Sequence, residues 1–311
     1  MAPSKQSEAL KNLFEIFSKQ MPEDDNAFLA RVVYDQLTTV ASEATEVTYE
    51  DIKLPSDAGN YRGPAKWVKP LHASKNHVLL FTHGGGYNFG SLTSHRLLCA
   101  HLAKACNSLA LMVDYRLTPE SPYPAALDDC VAAYKWLLDQ GFKAENIVTI
   151  GDSCGGGLAT TVPLKAIRDG LPRPGAAVAM SPWTDMVGQE SESLKANVGR
   201  DALSTSEGIG MLAKRYCQGG TKYDDPLISP IYIGEAELKK LPPHWISCAG
   251  CDLLLNDGTR MAEKLQKAGV EVVLKVHEGQ QHVMEFMVDT APESNQSIKD
   301  IGQWVRKTIG S

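Results

Sequence analysis

The sequence predicts an α/β fold, a mostly parallel sheet with helices on both faces. Three observations predict it. Segments of strand and helix character alternate along the chain, as they do when parallel strands are joined by crossover helices. Continuous apolar runs such as His77-Val78-Leu79-Leu80-Phe81-Thr82 and Leu109-Ala110-Leu111-Met112-Val113 read as strands buried on both faces. The run Ile147-Val148-Thr149-Ile150 then passes through Gly151-Asp152-Ser153-Cys154-Gly155 into a small-residue helical segment, which makes a strand, a sharp turn and a helix start.

Bulk properties narrow the partners. A chain of 311 residues with 43% hydrophobic content builds one large core with room for a smaller lid. The net charge of −6, the pI of about 5.8 and the lack of a basic cluster disfavour nucleic acid. Mean hydropathy is −0.21 and no apolar run reaches a membrane span. Residues 1–8 are polar and lack the apolar region of a secretory signal, so a cytoplasmic location is expected. The seven cysteines, an odd and scattered set, suit a reduced protein. Cys248 and Cys251 have C-x-x-C spacing, but no second pair completes a zinc site, so no metal is expected.

The elements follow in order. Leu10, Leu13, Phe14 and Phe17 recur at helical spacing, and so do Phe28, Leu29, Val32, Val33 and Leu37, with Pro22 between the two sets. Residues 1–44 therefore read as two amphipathic helices, either a lid over a site or a surface layer. Val47, Tyr49, Ile52 and Leu54 mark an edge strand, Asp57–Asn60 a turn, Tyr61–Val68 a second strand and His72–Asn76 a loop. The apolar strand ending at Thr82 runs into His83-Gly84-Gly85-Gly86-Tyr87. A helix over His95–Ala105, the strand 109–113 and a helix over Pro124–Gln140 come next. Asp114, Arg116 and Glu120 read as charges that pair with one another to fix a loop. After the turn at Ser153 come a helix to about 169, a strand at Ala176–Met180 and a polar segment, 186–225, with a helix over Ser206–Tyr216. An insertion there follows a strand's C-terminal end and sits over the site face, so it reads as the second part of a lid. Strands at His244–Ala249 and Val272–His277, a helix between them and a closing helix at 293–309 complete the chain.

The chemistry gathers at strand ends. Gly151 and Gly155 bracket Ser153 in a G-x-S-x-G turn, where the backbone is strained and the flanking residues are crowded. A serine hydroxyl is a weak nucleophile and needs a base, and the base needs an orienting acid. Asp252 and His282 follow in that order, each just beyond a strand. His277 lies within a strand pattern and His244 at the wrong end of the sheet. Asp257 suits the first turn of a helix, where a carboxylate favours exposed N–H groups, and Asp185 follows the wrong strand. Cys154 is the rival nucleophile, but centring the turn on it puts Asp152 where a side chain should clash. The glycines after His83 bare backbone N–H groups, so Gly85, Gly86 and Cys154 are the candidate oxyanion donors. His83 reads as a structural residue that shapes the loop. By position, Tyr87, Phe89, Trp183, Met211, Met284 and Phe286 are candidate pocket residues.

Taken together, His83-Gly84-Gly85-Gly86, Asp114-Tyr115-Arg116-Leu117, Gly151-Asp152-Ser153-Cys154-Gly155-Gly156, Asp252-Leu253-Leu254 and His282 resemble the hormone-sensitive-lipase-like family of α/β-hydrolases. The resemblance covers roughly residues 45–310. It implies an α/β-hydrolase fold with an eight-stranded, mostly parallel sheet, over residues 45–311. It also implies a helical cap built from residues 1–44 and an insertion at about 186–225. The implied activity is hydrolysis of small, short-acyl esters through an acyl-enzyme on Ser153, with no cofactor, by a monomer or homodimer. The sequence departs from the family pattern in three places. Cys154 stands where alanine is usual, Asp252-Leu253-Leu254 where Asp-Pro-Leu is frequent, and Val283-Met284 where an aromatic often follows the histidine by two. Two other readings use the same residues. One is triad-dependent acyl transfer or lactone opening on a small molecule. The other is a non-catalytic small-molecule binding protein on a hydrolase scaffold, which the presence of all three triad members disfavours.

Overall fold

The computed structural model describes residues 2–21, 26–36, 40–54, 63–188 and 191–310. In chain order the helices are α1 Lys5–Gln20, α2 Ala27–Asp35, α3 Arg96–Ala105, α4 Ala125–Asp139, α5 Cys154–Arg168, α6 Glu192–Ala196, α7 Ser206–Tyr216, α8 Glu235–Leu238, α9 Leu255–Lys267 and α10 Pro292–Ile309. The strands are β1 Val47–Lys53, β2 Pro64–Pro70, β3 Ser74–Thr82, β4 Ser108–Val113, β5 Ile147–Asp152, β6 Ala176–Met180, β7 His244–Ala249 and β8 Val272–His277.

The eight strands form one sheet in the order β1-β2-β4-β3-β5-β6-β7-β8. β1 and β2 pair antiparallel, as do β2 and β4, and every other pairing is parallel. The central strands β5, β6 and β7 are buried at every residue, so they are largely apolar, and their polar side chains, Thr149, Asp152, His244 and Ser247, are each hydrogen-bonded. Alternate residues serve two cores. Leu79 and Phe81 of β3 join Leu98 and Leu102 of α3 and Ile301 and Val305 of α10. Val78 and Leu80, one residue out of phase, join Leu127 and Tyr134 of α4 and Leu158 and Val162 of α5 on the other face. Fully burying one such aliphatic side chain is worth roughly 1.5–3 kcal/mol.

The predicted fold class and the parallel order hold. The loops after β3, β5, β7 and β8 leave the same edge of the sheet, because parallel strands put all their C-terminal ends together. β3 begins at Ser74, inside the expected loop 72–76. A bulge between Ser74 and Val78 lets the polar start of the strand pair with Ser108. The turn expected at 57–60, the start of the second strand at 61–62, Pro22 and Leu37 lie outside the described residues.

Two further expectations need correction. α1 buries Leu10, Phe14 and Phe17 as its spacing predicts, against Met284 and Met287. α2 does not bury its apparent stripe. Phe28, Leu29 and Val32 are 77%, 46% and 44% exposed, and the helix seats through Ala30 and Tyr34 instead. Two of the charges after β4 pair outside their own loop. Arg116 forms a fork with Asp129 of α4 at 2.8 Å, and Glu120 pairs with Arg31 of α2 at 2.6 Å. Among the described residues, no helix is long and apolar enough to cross a membrane.

Candidate active site

Ser153 sits between β5 and α5 with φ 54° and ψ −123°, the strained turn its bracketing glycines imply. The crowding is backbone against backbone. A Cβ on Gly151 would lie 2.3 Å from the Thr82 carbonyl oxygen, and one on Gly155 would lie 2.0 Å from the same atom. The Ser153 N–H donates to Met180 O at 2.8 Å, and its carbonyl accepts from the Trp183 N–H at 2.9 Å. The turn is thus pinned between β6 and the loop that follows it.

His282 follows β8, and its Nδ1 lies 2.7 Å from Oδ2 of Asp252, which follows β7. Both residues are buried. The other Asp252 oxygen accepts from the Leu254 N–H at 2.7 Å, which fixes the carboxylate plane. Asn197 Nδ2 donates to the Asp252 carbonyl at 2.8 Å, and Asp201 accepts from the Leu253 N–H at 3.0 Å. Burial alone pulls the His282 imidazole down. The charge and hydrogen bond of Asp252 outweigh it, and the group is pushed up to about 9. Burial, and then the Asp252 charge, raise the Asp201 carboxyl.

Gly85 and Gly86 take φ 115° and 59°, a backbone that glycine alone adopts readily. A Cβ on Gly86 would lie 2.5 Å from Leu212 Cδ1, so α7 rests directly on this loop. Ser153, His282, Gly85 and Gly86 all line one cavity of about 320 Å³. Of the candidate pocket residues, Phe89, Trp183, Met211 and Phe286 line it too. Sequence reasoning missed Leu212 and Tyr34. Tyr34 lies on a helix whose apolar spacing draws attention to its neighbours, and its ring reaches the cavity stacked on Phe89 at 5.5 Å.

Tyr87 and Met284 do not line the cavity. Tyr87 has φ 60°, which turns its ring into the core, stacked on Tyr216 at 3.7 Å. Met284 packs among Leu10, Phe14 and Tyr34, beneath α1. The Cys154 thiol also turns away from the cavity. Its sulfur accepts from the Tyr87 N–H at 3.3 Å and lies 3.7 Å from the Tyr115 hydroxyl, and burial pushes it up to about 12. It is a core side chain rather than a rival nucleophile, and only its backbone N–H, at the start of α5, remains a candidate donor.

The other acids and histidines fall elsewhere. Asp257 is not a cap for its own helix. Its buried carboxylate accepts from the Thr184 and Asp185 N–H groups, both at 2.8 Å, and stitches the loop after β6 to α9. Burial, resisted by those two bonds, pushes it up to about 8. Asp185 pairs with Arg260 at 2.8 Å. His244 is buried at the start of β7, with Nδ1 2.7 Å from Pro242 O, and His277 ends β8. His83 stacks on Tyr115 at 4.2 Å, its carbonyl accepts from the Tyr115 hydroxyl at 2.6 Å, and burial holds its imidazole down at about 3. It shapes the loop as a neutral imidazole, with Nδ1 2.8 Å from the Gly84 carbonyl. Cys248 and Cys251 are both free and buried.

A turn-borne serine, a histidine held by a carboxylate and a glycine loop, all on one edge of this sheet, are the parts of an α/β-hydrolase. A family model described as alpha/beta hydrolase fold matches residues 79–286. An acetyl-hydrolase of Streptomyces hygroscopicus is 36% identical over 247 residues, 79% of this chain and 80% of that one. An esterase of Acinetobacter venetianus is 32% identical over 274 residues, 88% and 87% of the two chains. The crystal structure of an esterase from the bacterial hormone-sensitive lipase family superposes with a TM-score of 0.91 at 33% identity, over 100% of both chains. The chain belongs to the hormone-sensitive-lipase-like family of α/β-hydrolases.

Proposed function

We propose that the chain is a serine carboxylesterase in which Ser153, His282 and Asp252 act as the catalytic triad. The 2.7 Å contact between His282 and Asp252, with Ser153 and His282 lining one cavity, carries the reading. Ser153 Oγ attacks the ester carbonyl while His282 Nε2 takes its proton and returns it to the leaving alkoxide. Asp252 holds the tautomer with hydrogen on Nδ1 and stabilises the imidazolium. The Gly85, Gly86 and Cys154 N–H groups receive the oxyanion, each such donor being worth about 3 kcal/mol in the transition state. Water then releases the acyl group with His282 as base. A carboxylic ester hydrolase agrees with the relatives named acetyl-hydrolase, esterase and carboxylic ester hydrolase.

Residues 1–44 and the insertion at about 186–225 form a cap, which the lining of the cavity by Phe14, Phe17 and Tyr34 from one and by Leu203, Ile209 and Leu212 from the other supports. The substrate is a small, short-acyl ester. The protein is cytoplasmic, in keeping with seven free, buried thiols, and works as a monomer or homodimer. Hydrolysis of a p-nitrophenyl ester series by the purified protein tests the substrate class. We expect higher kcat/KM on acetate and butyrate than on decanoate, and a clear preference for decanoate would refute the short-acyl assignment.

A further inference from the structure

The residue before the nucleophile makes a connection that the triad does not account for. Asp152 is fully buried at the end of β5. One of its carboxylate oxygens accepts from the Gly84 N–H at 3.1 Å, an N–H that also points to His95 Nε2 at 3.3 Å, and the other oxygen lies 3.3 Å from the same His95 Nε2. A Cβ on Gly84 would lie 2.2 Å from that second oxygen, so only a bare backbone seats the carboxylate here. His95 is itself fixed at both ends. Its Nδ1 lies 2.8 Å from the Ser94 hydroxyl. Its ring stands 5.2 Å from Phe286, 5.4 Å from His83, 6.1 Å from Phe81 and 6.4 Å from Tyr34. A buried carboxylate between two rigid partners is a strut, not a solvated charge. It runs from the turn that carries Ser153 to the first glycine of the loop whose next two residues face the cavity.

We propose that Asp152, backed by His95, is a positioning residue that sets the oxyanion loop against the nucleophile. The proposal rests on the triad reading above. Three consecutive glycines have the widest conformational freedom a loop can have. Donors aimed at a developing oxyanion accelerate the reaction only if they are already in place. Pinning the Gly84 amide from the nucleophile's own turn makes the distance from Ser153 to the donors a property of one rigid piece. Loss of the strut therefore lowers the rate of the chemical step and leaves ground-state binding in the apolar cavity nearly unchanged.

The test compares Asp152→Ala and Asp152→Asn with the wild type on p-nitrophenyl butyrate. An aryl trifluoromethyl ketone, which adds to the serine as a tetrahedral oxyanion, serves as the second readout. Asparagine keeps both contacts with one direction reversed: Oδ1 accepts from Gly84, and the amide donates to His95 Nε2 once the ring carries its proton on Nδ1, toward Ser94. We expect Asp152→Ala to lose about 10²-fold in kcat with KM changed less than about two-fold. Its affinity for the ketone should fall by the same factor. Asp152→Asn should keep both within about five-fold. Should the alanine variant not fold, His95→Leu, which removes the Nε2 contact and leaves the Asp152–Gly84 bond without its backing, should lower kcat about ten-fold. Three results overturn the proposal: a folded Asp152→Ala or His95→Leu with wild-type kcat, a loss confined to KM, or an asparagine variant as impaired as alanine. Ser153→Ala separates this from the reading beneath it. A rate that survives in Ser153→Ala overturns the triad and the strut together. A rate lost in Ser153→Ala but kept in Asp152→Ala overturns the strut alone.

Discussion

His282 Nδ1 and Asp252 Oδ2 meet at 2.7 Å across 30 residues of chain, in a site where both side chains are buried. In the proposed triad this pair sets the pH dependence. A general base must be neutral to take a proton, and Asp252 holds the His282 imidazole up at about 9, against the pull of burial. Ester hydrolysis is therefore expected to rise with pH, with its midpoint well above the ~6.5 of a free imidazole. Asp252→Asn should lower kcat by on the order of 10⁴. The same shift has a sign for stability. The protonated histidine stabilises the fold fully below about pH 6.5, and that contribution fades as pH rises through the folded value. A pH–rate profile with its midpoint near or below 6.5 would contradict the upward shift of His282 by Asp252.

Cys154 stands beside the proposed nucleophile in sequence but not in reactivity. Its thiol is buried against Tyr87 and Tyr115 and is pushed up to about 12. Iodoacetamide should leave the activity of the folded protein intact. Cys154→Ala should cost about 1–2 kcal/mol of stability through lost packing while keeping most of kcat. Rapid inactivation by iodoacetamide with alkylated Cys154 would overturn this placement.

Asp257 supplies a stability prediction. Its folded value of about 8 lies far above the ~3.9 of an unfolded aspartate. The folded state then holds a proton that the unfolded state has lost, so this group's contribution falls as pH rises from about 4 to 8. Asparagine keeps an acceptor for the Thr184 and Asp185 N–H groups and does not ionise. Any advantage in Tm of the wild type over Asp257→Asn should shrink across that window. A pH-independent difference would show that the carboxyl does not titrate there.

Arg31 anchors α2 over the cavity. Its guanidinium reaches the Asn88 carbonyl at 2.9 Å, the Thr118 carbonyl at 2.7 Å and both oxygens of Glu120. Glu120 is largely exposed, so the ion pair itself is worth at most about 1 kcal/mol. The two carbonyl bonds tie α2, and with it Tyr34, to the segments after β3 and β4. Arg31→Ala should raise KM several-fold with a smaller change in kcat, while Glu120→Ala should change little. Equal effects of the two substitutions would assign the anchor to charge instead.

Much of this was legible because local chemistry and global topology agree. The G-x-S-x-G turn, the buried strands and the loops at their C-terminal ends each carry a signal within a few residues. Parallel order alone then brings those loops together. What failed depended on direction and distance. The apolar spacing of α2 does not say which side meets protein, and the seat goes to Ala30 and Tyr34. Tyr87 and Met284 are correctly near the site in sequence, but backbone angles and packing turn them inward. Arg116 and Glu120 choose partners on other elements, and no local pattern encodes those. The links of Asn197 and Asp201 to the Asp252 loop lie more than a helix away in sequence and leave no periodic trace.

The central claim is that Ser153 is the nucleophile of an esterase. Its most direct test is hydrolysis of a chromogenic ester series by the wild type and by Ser153→Ala. Measurable hydrolysis by the wild type and a fall to background in the variant, with the fold intact, are expected. Activity that persists in Ser153→Ala, or a folded wild type inert on every ester, would contradict it.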